Sequence, residues 1–81
     1  MKMNIYAIRD VHTGFMSPTI DQNDASAVRN FKHASLNYES LFYTHTKDYD
    51  LFCIGEYESE TGEIVPCVPP RLVVAGSSLE V

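Results

Sequence analysis

A single amphipathic helical stripe between strand-like segments is the feature that most constrains the fold of this 81-residue chain. Its members recur at steps of three and four residues: Ala27, Val28, Phe31, Ala34 and Ser35. This spacing predicts one helix of about three turns that packs one face against a core. In the preceding cluster Asn23 can cap the helix, and Asp24 favours the positive helix end. Asn37 is the expected end of the helix.

Two strand-like segments precede this helix. Residues 4–11 are rich in β-branched and aromatic side chains, which predicts a strand that ends in a turn at Thr13-Gly14. Residues 15–17 predict a short returning strand. Pro18 stops that strand because proline cannot donate a hydrogen bond to the ladder. The two segments therefore predict a hairpin.

A second hairpin is predicted after the helix. Residues 37–48 form a polar and aromatic connector with no clear period. Residues 50–58 have strand composition and start apolar on both faces, which predicts a strand that is central at its beginning and exposed at its end. Residues 59–62 are typical of a hairpin turn, with Gly62 able to adopt the left-handed conformation. Residues 64–68 are the predicted return strand.

Prolines limit the pairing of this last part of the chain. Pro66 indicates that the return strand lies at a sheet edge, because an edge strand need not donate all its N–H groups. Pro69 and Pro70 are expected to break the ladder. Residues 71–75 then add a final extended segment.

The predicted order is β-β-α-β-β, which indicates an α+β fold. We expect a small antiparallel sheet of four to five strands with one amphipathic helix, in a single domain over residues 1–75. Residues 76–81 are typical of a linker that leads into a purification tag. A small core with an edge strand favours a homodimer through strand addition or hairpin exchange. The alternative is a monomer whose helix covers one sheet face.

No run of apolar residues approaches the length of a membrane span, and residues 1–10 contain no signal-peptide pattern. We therefore expect no membrane partner.

The residue types that ligate metals or act as nucleophiles are few and scattered. His12, His33 and His45 lack the spacing of a metal motif. Cys53 and Cys67 are too far apart for a CxxC pair, and we expect reduced thiols that lie near each other if their strands pair. No nucleophile–base motif and no phosphate-binding glycine loop is present. The expectation is a non-enzymatic protein without a metal or other cofactor.

The acidic charge is concentrated in one half of the chain, whose formal net charge is −5. Residues 1–47 contain five Lys and Arg against four Asp and Glu, and residues 48–81 contain one against seven. A protein that neutralises many phosphates of duplex DNA has a basic domain, because counterion release drives that affinity. Any nucleic-acid contact of this chain must therefore be local and assisted by base stacking.

Aromatic rings close to cations in the sequence provide the candidate nucleic-acid site. Grooves that bind single strands combine cations with rings on which bases stack. The candidate phosphate-binding residues are Arg9, Arg29, Lys32 and Lys47, and the candidate base-stacking residues are Tyr43 and Tyr49. The alternative is that the aromatic side chains fill the small core.

Several residues also occur in an order that is typical of a known family. They are Arg9-Asp10, Pro18, Ala27-x-Arg29-x-Phe31, Asn37, Asp48-Tyr49-x-Leu51-Phe52-x-Ile54-Gly55-x-Tyr57 and Thr61-Gly62. Over roughly residues 4–66 the chain resembles the small non-structural protein of gokushovirus-type microviruses, which are icosahedral single-stranded DNA phages. That protein is often labelled DNA-binding. A proline typical of the family before the Asp-Tyr pair is replaced here by Thr46-Lys47.

The resemblance implies a non-enzymatic protein made in the cytoplasm of the infected bacterium and absent from the mature virion. Its expected role is that of a single-stranded DNA-binding accessory in genome synthesis or in the switch from replication to packaging. The alternative is an acidic adaptor that engages a phage replication protein, the procapsid or a host factor without binding DNA. The acidic half, residues 48–81, suits a basic protein partner.

Overall fold

The computed structural model describes residues 1–37 and 41–79. One antiparallel sheet contains five strands: β1 (Lys2–Asp10), β2 (Gly14–Phe15), β3 (Thr19–Asp21), β4 (Tyr49–Glu58) and β5 (Ile64–Ala75). Strand β1 pairs with β4 along one edge and with both β2 and β3 along the other, and β5 pairs with the far edge of β4. With the one main helix, this architecture confirms the predicted α+β class.

Helix α1 (Asp24–Ser35) begins where the capping pattern predicts. The Asn23 side chain accepts a hydrogen bond from the Ser26 N–H at 2.9 Å, which satisfies one of the free donors of the first turn. The helix ends at Ser35, shortly before the predicted end at Asn37.

The connector after α1 contains structure that the sequence did not predict. It includes the short helix α2 (Leu41–Thr44) and a 3₁₀ turn (Thr46–Asp48). The Thr46 hydroxyl donates to the Phe42 carbonyl at 2.8 Å, which links the two. The Phe42 ring packs 4.8 Å from that of Phe31 and 5.0 Å from that of Tyr49, measured between centroids. Tertiary packing therefore holds this segment.

The core lies between α1, α2 and one face of the sheet. Its buried hydrophobic members are Tyr6, Ala27, Phe31, Phe42, Tyr49, Leu51 and Cys53. The thiols of Cys53 and Cys67 are free and their Sγ atoms are 4.0 Å apart, as expected for residues on the paired strands β4 and β5. The core is thus shared by both central strands and the two helices.

Strand β5 runs as one strand from Ile64 to Ala75 and is longer than the sequence predicts, and its ladder with β4 is interrupted at Pro69-Pro70 as expected. Gly55 pairs with Pro66 and Cys53 pairs with Arg71. Residues 67–70 of β5 therefore form a bulge opposite a single residue of β4, Ile54. The ladder resumes after this bulge because β5 is an edge strand, where proline is tolerated. The edge position that Pro66 indicated is confirmed.

The segment predicted to begin a linker packs against the domain. Residues 76–78 form a 3₁₀ turn, and the Gly76 N–H donates to Asp50 Oδ1 at 3.1 Å. Leu79 packs against the core. The structure therefore places residues 76–79 in the domain rather than beyond it, and residues 80–81 lie outside the described residues.

Within the described part of the chain, no helix has both the length and the apolar character needed to cross a membrane.

Candidate nucleic-acid interface

Tyr49 is the predicted base-stacking residue that the structure places in the core. Only 8% of its surface is exposed, and its ring stacks on that of Phe42. Burial raises the pKa of the Tyr49 hydroxyl, and the carboxylates of Asp10 and Asp48 act in the same direction. A ring enclosed in this way cannot stack on a base. This burial corrects the prediction for Tyr49, whose role is that of a core residue.

Arg9 lies on the sheet face opposite α1. Its neighbour Ile8 packs against the core, and successive strand residues point to opposite faces. The Arg9 guanidinium carbon lies 4.8 Å from the centroid of the Phe52 ring, and its Nη2 lies 3.6 Å from Asp50 Oδ2. The buried Arg9 Nε has no hydrogen-bond partner among the described residues. Arg9 therefore lies away from the other candidate residues, on the opposite face of the sheet.

The other four candidates lie on the helix side of the sheet. Tyr43 from α2 and Lys47 from the following turn line a hollow of about 490 Å³. Lys32, in the last turn of α1, lines a second hollow of about 460 Å³. Leu79 lines both hollows, which therefore adjoin. Arg29 precedes Lys32 by three residues and lies on the same side of α1. We call Arg29, Lys32, Tyr43, Lys47 and the two hollows the basic end.

The cations of the basic end are exposed and unpaired within the described ranges. Arg29, Lys32 and Lys47 have no carboxylate oxygen within 4.0 Å there, whereas each of the other three Lys and Arg side chains has one. The Tyr43 side chain, which lines the same hollow as Lys47, is 40% exposed. Asp48 also lines the first hollow, and its Oδ2 lies 3.4 Å from His12 Nε2. The basic end thus offers positive charge, hydrogen-bond donors and one aromatic ring to a ligand.

The acidic hairpin of β4 and β5 points to the opposite end of the molecule. Its carboxylates are Glu56, Glu58, Glu60 and Glu63. Strand β4 has ten residues and begins directly after the turn that carries Lys47, so the hairpin tip is ~30 Å from that turn. At the tip the Met1 amino group lies 2.6 Å from Glu58 Oε1 and lowers the pKa of that carboxyl. Four of the eleven Asp and Glu side chains of the chain are therefore remote from the basic end.

A hydrogen-bond network that the sequence did not predict connects α1 with the sheet. The Tyr6 hydroxyl donates to Asp24 Oδ1 at 2.6 Å and accepts from Asn4 Nδ2 at 2.9 Å. Arg71 donates to both carboxylate oxygens of Asp24, at 2.9 and 3.2 Å. The hydrogen bonds from Arg71 and from Tyr6 lower the pKa of Asp24, while burial and this carboxylate raise the pKa of Tyr6 to about 12. The network orients the helix that carries Arg29 and Lys32.

Among the described residues, no other cluster of reactive side chains stands out. In residues 1–37 and 41–79, no three His, Cys, Asp or Glu side chains converge in a way that suits a metal ion. Burial and the neighbouring Cys53 raise the pKa of the Cys67 thiol, which disfavours the reactive thiolate at neutral pH.

Comparison with known families bears on the expected phage origin. A family model described as Phage ORF5 protein matches residues 3–79, which includes the packed segment 76–79. A search of curated proteins and a search of solved structures each found no significant match. Because the family model spans nearly the whole sequence, the chain belongs to the Phage ORF5 protein family.

Proposed function

We propose that this phage protein binds single-stranded DNA through its basic end, as a non-enzymatic accessory of viral genome synthesis or of the switch from replication to packaging. The observation that carries the proposal is that Lys47 and the exposed Tyr43 line one hollow and Lys32 lines the adjoining one, with Arg29 one helical turn before Lys32. None of the three cations has a carboxylate partner in the described residues. The resemblance to the non-structural protein of gokushovirus-type microviruses supplies the biological setting. That setting is the cytoplasm of the infected bacterium, outside the mature virion.

The composition of the basic end suits a single strand better than a duplex. Three cations can neutralise only a few phosphates, which is too few for tight binding to a duplex. The Tyr43 ring can stack on a base of a single strand, because that base is not paired with a second strand. The hydrophobic side chain of Leu79 lines both hollows and gives the bound DNA strand an apolar surface where they adjoin. Arg9 lies on the other sheet face and Tyr49 in the core, so neither belongs to this interface.

Fluorescence anisotropy with a labelled pyrimidine oligonucleotide tests the proposal. If Arg29, Lys32 and Lys47 each contact one phosphate, affinity should fall about 20-fold between ~50 and ~200 mM salt. Replacement of Lys32 or Lys47 by Ala should weaken binding and reduce the salt dependence by about one third. The matched control is Lys2→Ala, which removes an exposed lysine at the acidic end, where Lys2 Nζ lies 4.0 Å from Glu56. Equal effects of the three variants, or no salt-sensitive binding by the wild-type protein, would count against this function.

Tyr43 provides a second, independent arm of this test. A base stacked on its ring contributes about 1–3 kcal/mol, so Tyr43→Ala should weaken binding about 5- to 150-fold. Tyr43→Phe keeps the ring and should retain most of the affinity. A Phe variant that binds as weakly as the Ala variant would contradict stacking at this position.

An acidic adaptor is the second candidate, and the exposed hairpin tip favours it. The Glu60 side chain is 83% exposed, and Glu63 beside it is exposed as well. Such a surface suits a basic region of a phage replication protein, a procapsid protein or a host factor. Capture of such a partner from infected cells, lost on charge reversal at Glu60 and Glu63, would support the adaptor. Recovery of DNA alone, unchanged by that reversal, would exclude it.

A further inference from the structure

The sheet face opposite α1 is apolar. The strand register shows which side chains lie on this face, because residues opposite each other on paired antiparallel strands share a face. Tyr6, Ile8 and Leu51 point towards α1, so the residues between them point away. The large apolar side chains on this face are Ile5, Phe15, Ile20, Phe52, Ile64 and Leu72. We call this surface the open face.

Solvent reaches much of the open face in the single chain. The exposed fractions are 49% for Phe15 and Ile20, 53% for Leu72 and 62% for Ile64. A contiguous apolar surface of this kind on a small domain is typical of an interaction site. The two helices lie on the other side of the sheet, so the described fold is a two-layer structure with one layer uncovered.

We propose that a second copy of this chain covers the open face, and that two sheets pack face to face in a two-fold homodimer. The charge of the surface favours a copy over a nucleic acid. Arg9 and Asp50 are the charged side chains that the register places on this face, and they lie 3.6 Å apart as a neutral pair. A copy therefore meets no repulsion there, in spite of the net charge of −5 on each chain. A nucleic acid on the open face would meet one cation, Arg9, which already pairs with the Asp50 carboxylate.

The size of the open face also suits a dimer. Strands β1, β4 and β5 have 9, 10 and 12 residues, and with the short β2 and β3 beside β1 they give a footprint on the order of 600 Å². A standard stable interface buries about 800 Å² per partner, and a pleated surface with side chains exceeds its flat footprint. Two sheets packed in this way lie about 10 Å apart with their side chains interleaved.

The orientation of the two copies follows from the acidic hairpins. A two-fold axis that runs across the strands sets the two hairpin tips at opposite ends of the dimer and keeps their like charges apart. Each basic end then lies on an outer helical layer and stays accessible. The β5 edge is less suitable for the predicted strand addition, because Pro66, Pro69 and Pro70 lack the N–H groups that a new ladder needs.

Sedimentation equilibrium of the full chain tests this dimer, with two leucines of similar exposure as a matched pair. Leu72 lies on the open face and is 53% exposed, and Leu36 follows α1 and is 59% exposed. Wild type and Leu36→Glu should sediment with twice the chain mass at micromolar concentration. Leu72→Glu should weaken the dimer about 100-fold or more, because it buries an unpaired carboxylate. Ile64→Glu should have the same effect at the other end of the face, and circular dichroism checks that the variants fold.

A wild-type chain that stays monomeric at high micromolar concentration would overturn the dimer. So would equal dimerisation of Leu72→Glu and Leu36→Glu. If the chain is a monomer and Leu72→Glu weakens oligonucleotide binding, the open face is a nucleic-acid surface and the proposal is wrong. The dimer does not depend on DNA binding, since sedimentation is measured without oligonucleotide.

Discussion

The Tyr6 hydroxyl joins the centre of the sheet to the first residue of α1. It donates to Asp24 at 2.6 Å from a side chain that is 1% exposed. Asp24 also lies at the positive end of the helix, which stabilises its negative charge. The hydrogen bond thus fixes the helix on the sheet through one buried phenol and one carboxylate.

Removal of this hydroxyl should destabilise the protein. We expect Tyr6→Phe to lower the free energy of unfolding by about 1–2 kcal/mol, because Asn4 and Asp24 each lose a hydrogen-bond partner. Urea unfolding measures this change. Tyr57→Phe is the control, since the Tyr57 side chain is half-buried and its hydroxyl has no hydrogen bond to any described residue. Equal losses in the two variants would contradict the account of Tyr6.

Asp24 should make stability dependent on acid pH. Hydrogen bonds from Arg71 and from Tyr6 lower its pKa below the ordinary value of 3.8, so the folded protein binds this proton less readily than the unfolded chain. The stabilisation is therefore complete above the ordinary value and is lost as the pH falls through the lowered one. Unfolding free energies measured from about pH 6 to about pH 2 should fall less steeply in Asp24→Asn than in wild type. Parallel profiles would contradict this coupling.

At the scale of elements, local signals predicted well and long-range packing did not. The helix α1 depends on one cap and one apolar stripe within a short window, and the turn at Gly62 sets the second hairpin. The helix α2 has no such signal, because the packing of Phe42 against α1 and β4 holds it. The bulge that lets β5 pass Pro69 and Pro70 is likewise a property of pairing with β4.

Gly76 determines how the last turn packs on the start of β4. A Cβ at this position would overlap the carbonyl oxygens of Thr46 and Tyr49. We expect Gly76→Ala to lower the free energy of unfolding by about 1–3 kcal/mol, because the backbone of one segment must move. Thermal or urea unfolding measures this, with Ser77→Ala at the next, exposed position as the control. Wild-type stability of the Ala variant would instead support the predicted linker from residue 76.

At the scale of the whole molecule, separation of charge reconciles a net charge of −5 with the proposed phosphate-binding site. The molecule is 40 Å long, and the acidic hairpin and the basic end occupy its two ends. The four residues of the proposed site were candidates from the sequence, because cations and rings recur near each other along residues 29–47. The sequence could not exclude Arg9 and Tyr49 from the candidates. The sheet face on which the Arg9 side chain lies and the burial of the Tyr49 ring both depend on the tertiary fold.

Amide chemical-shift mapping with a short thymidine oligonucleotide tests the central claim most directly. The account predicts that shifts of the labelled protein concentrate on residues 29–32, 43–47 and 77–79, with no change at the hairpin tip, residues 58–63. Shifts confined to the open face or to the hairpin tip, or no shifts at saturating oligonucleotide, would contradict it.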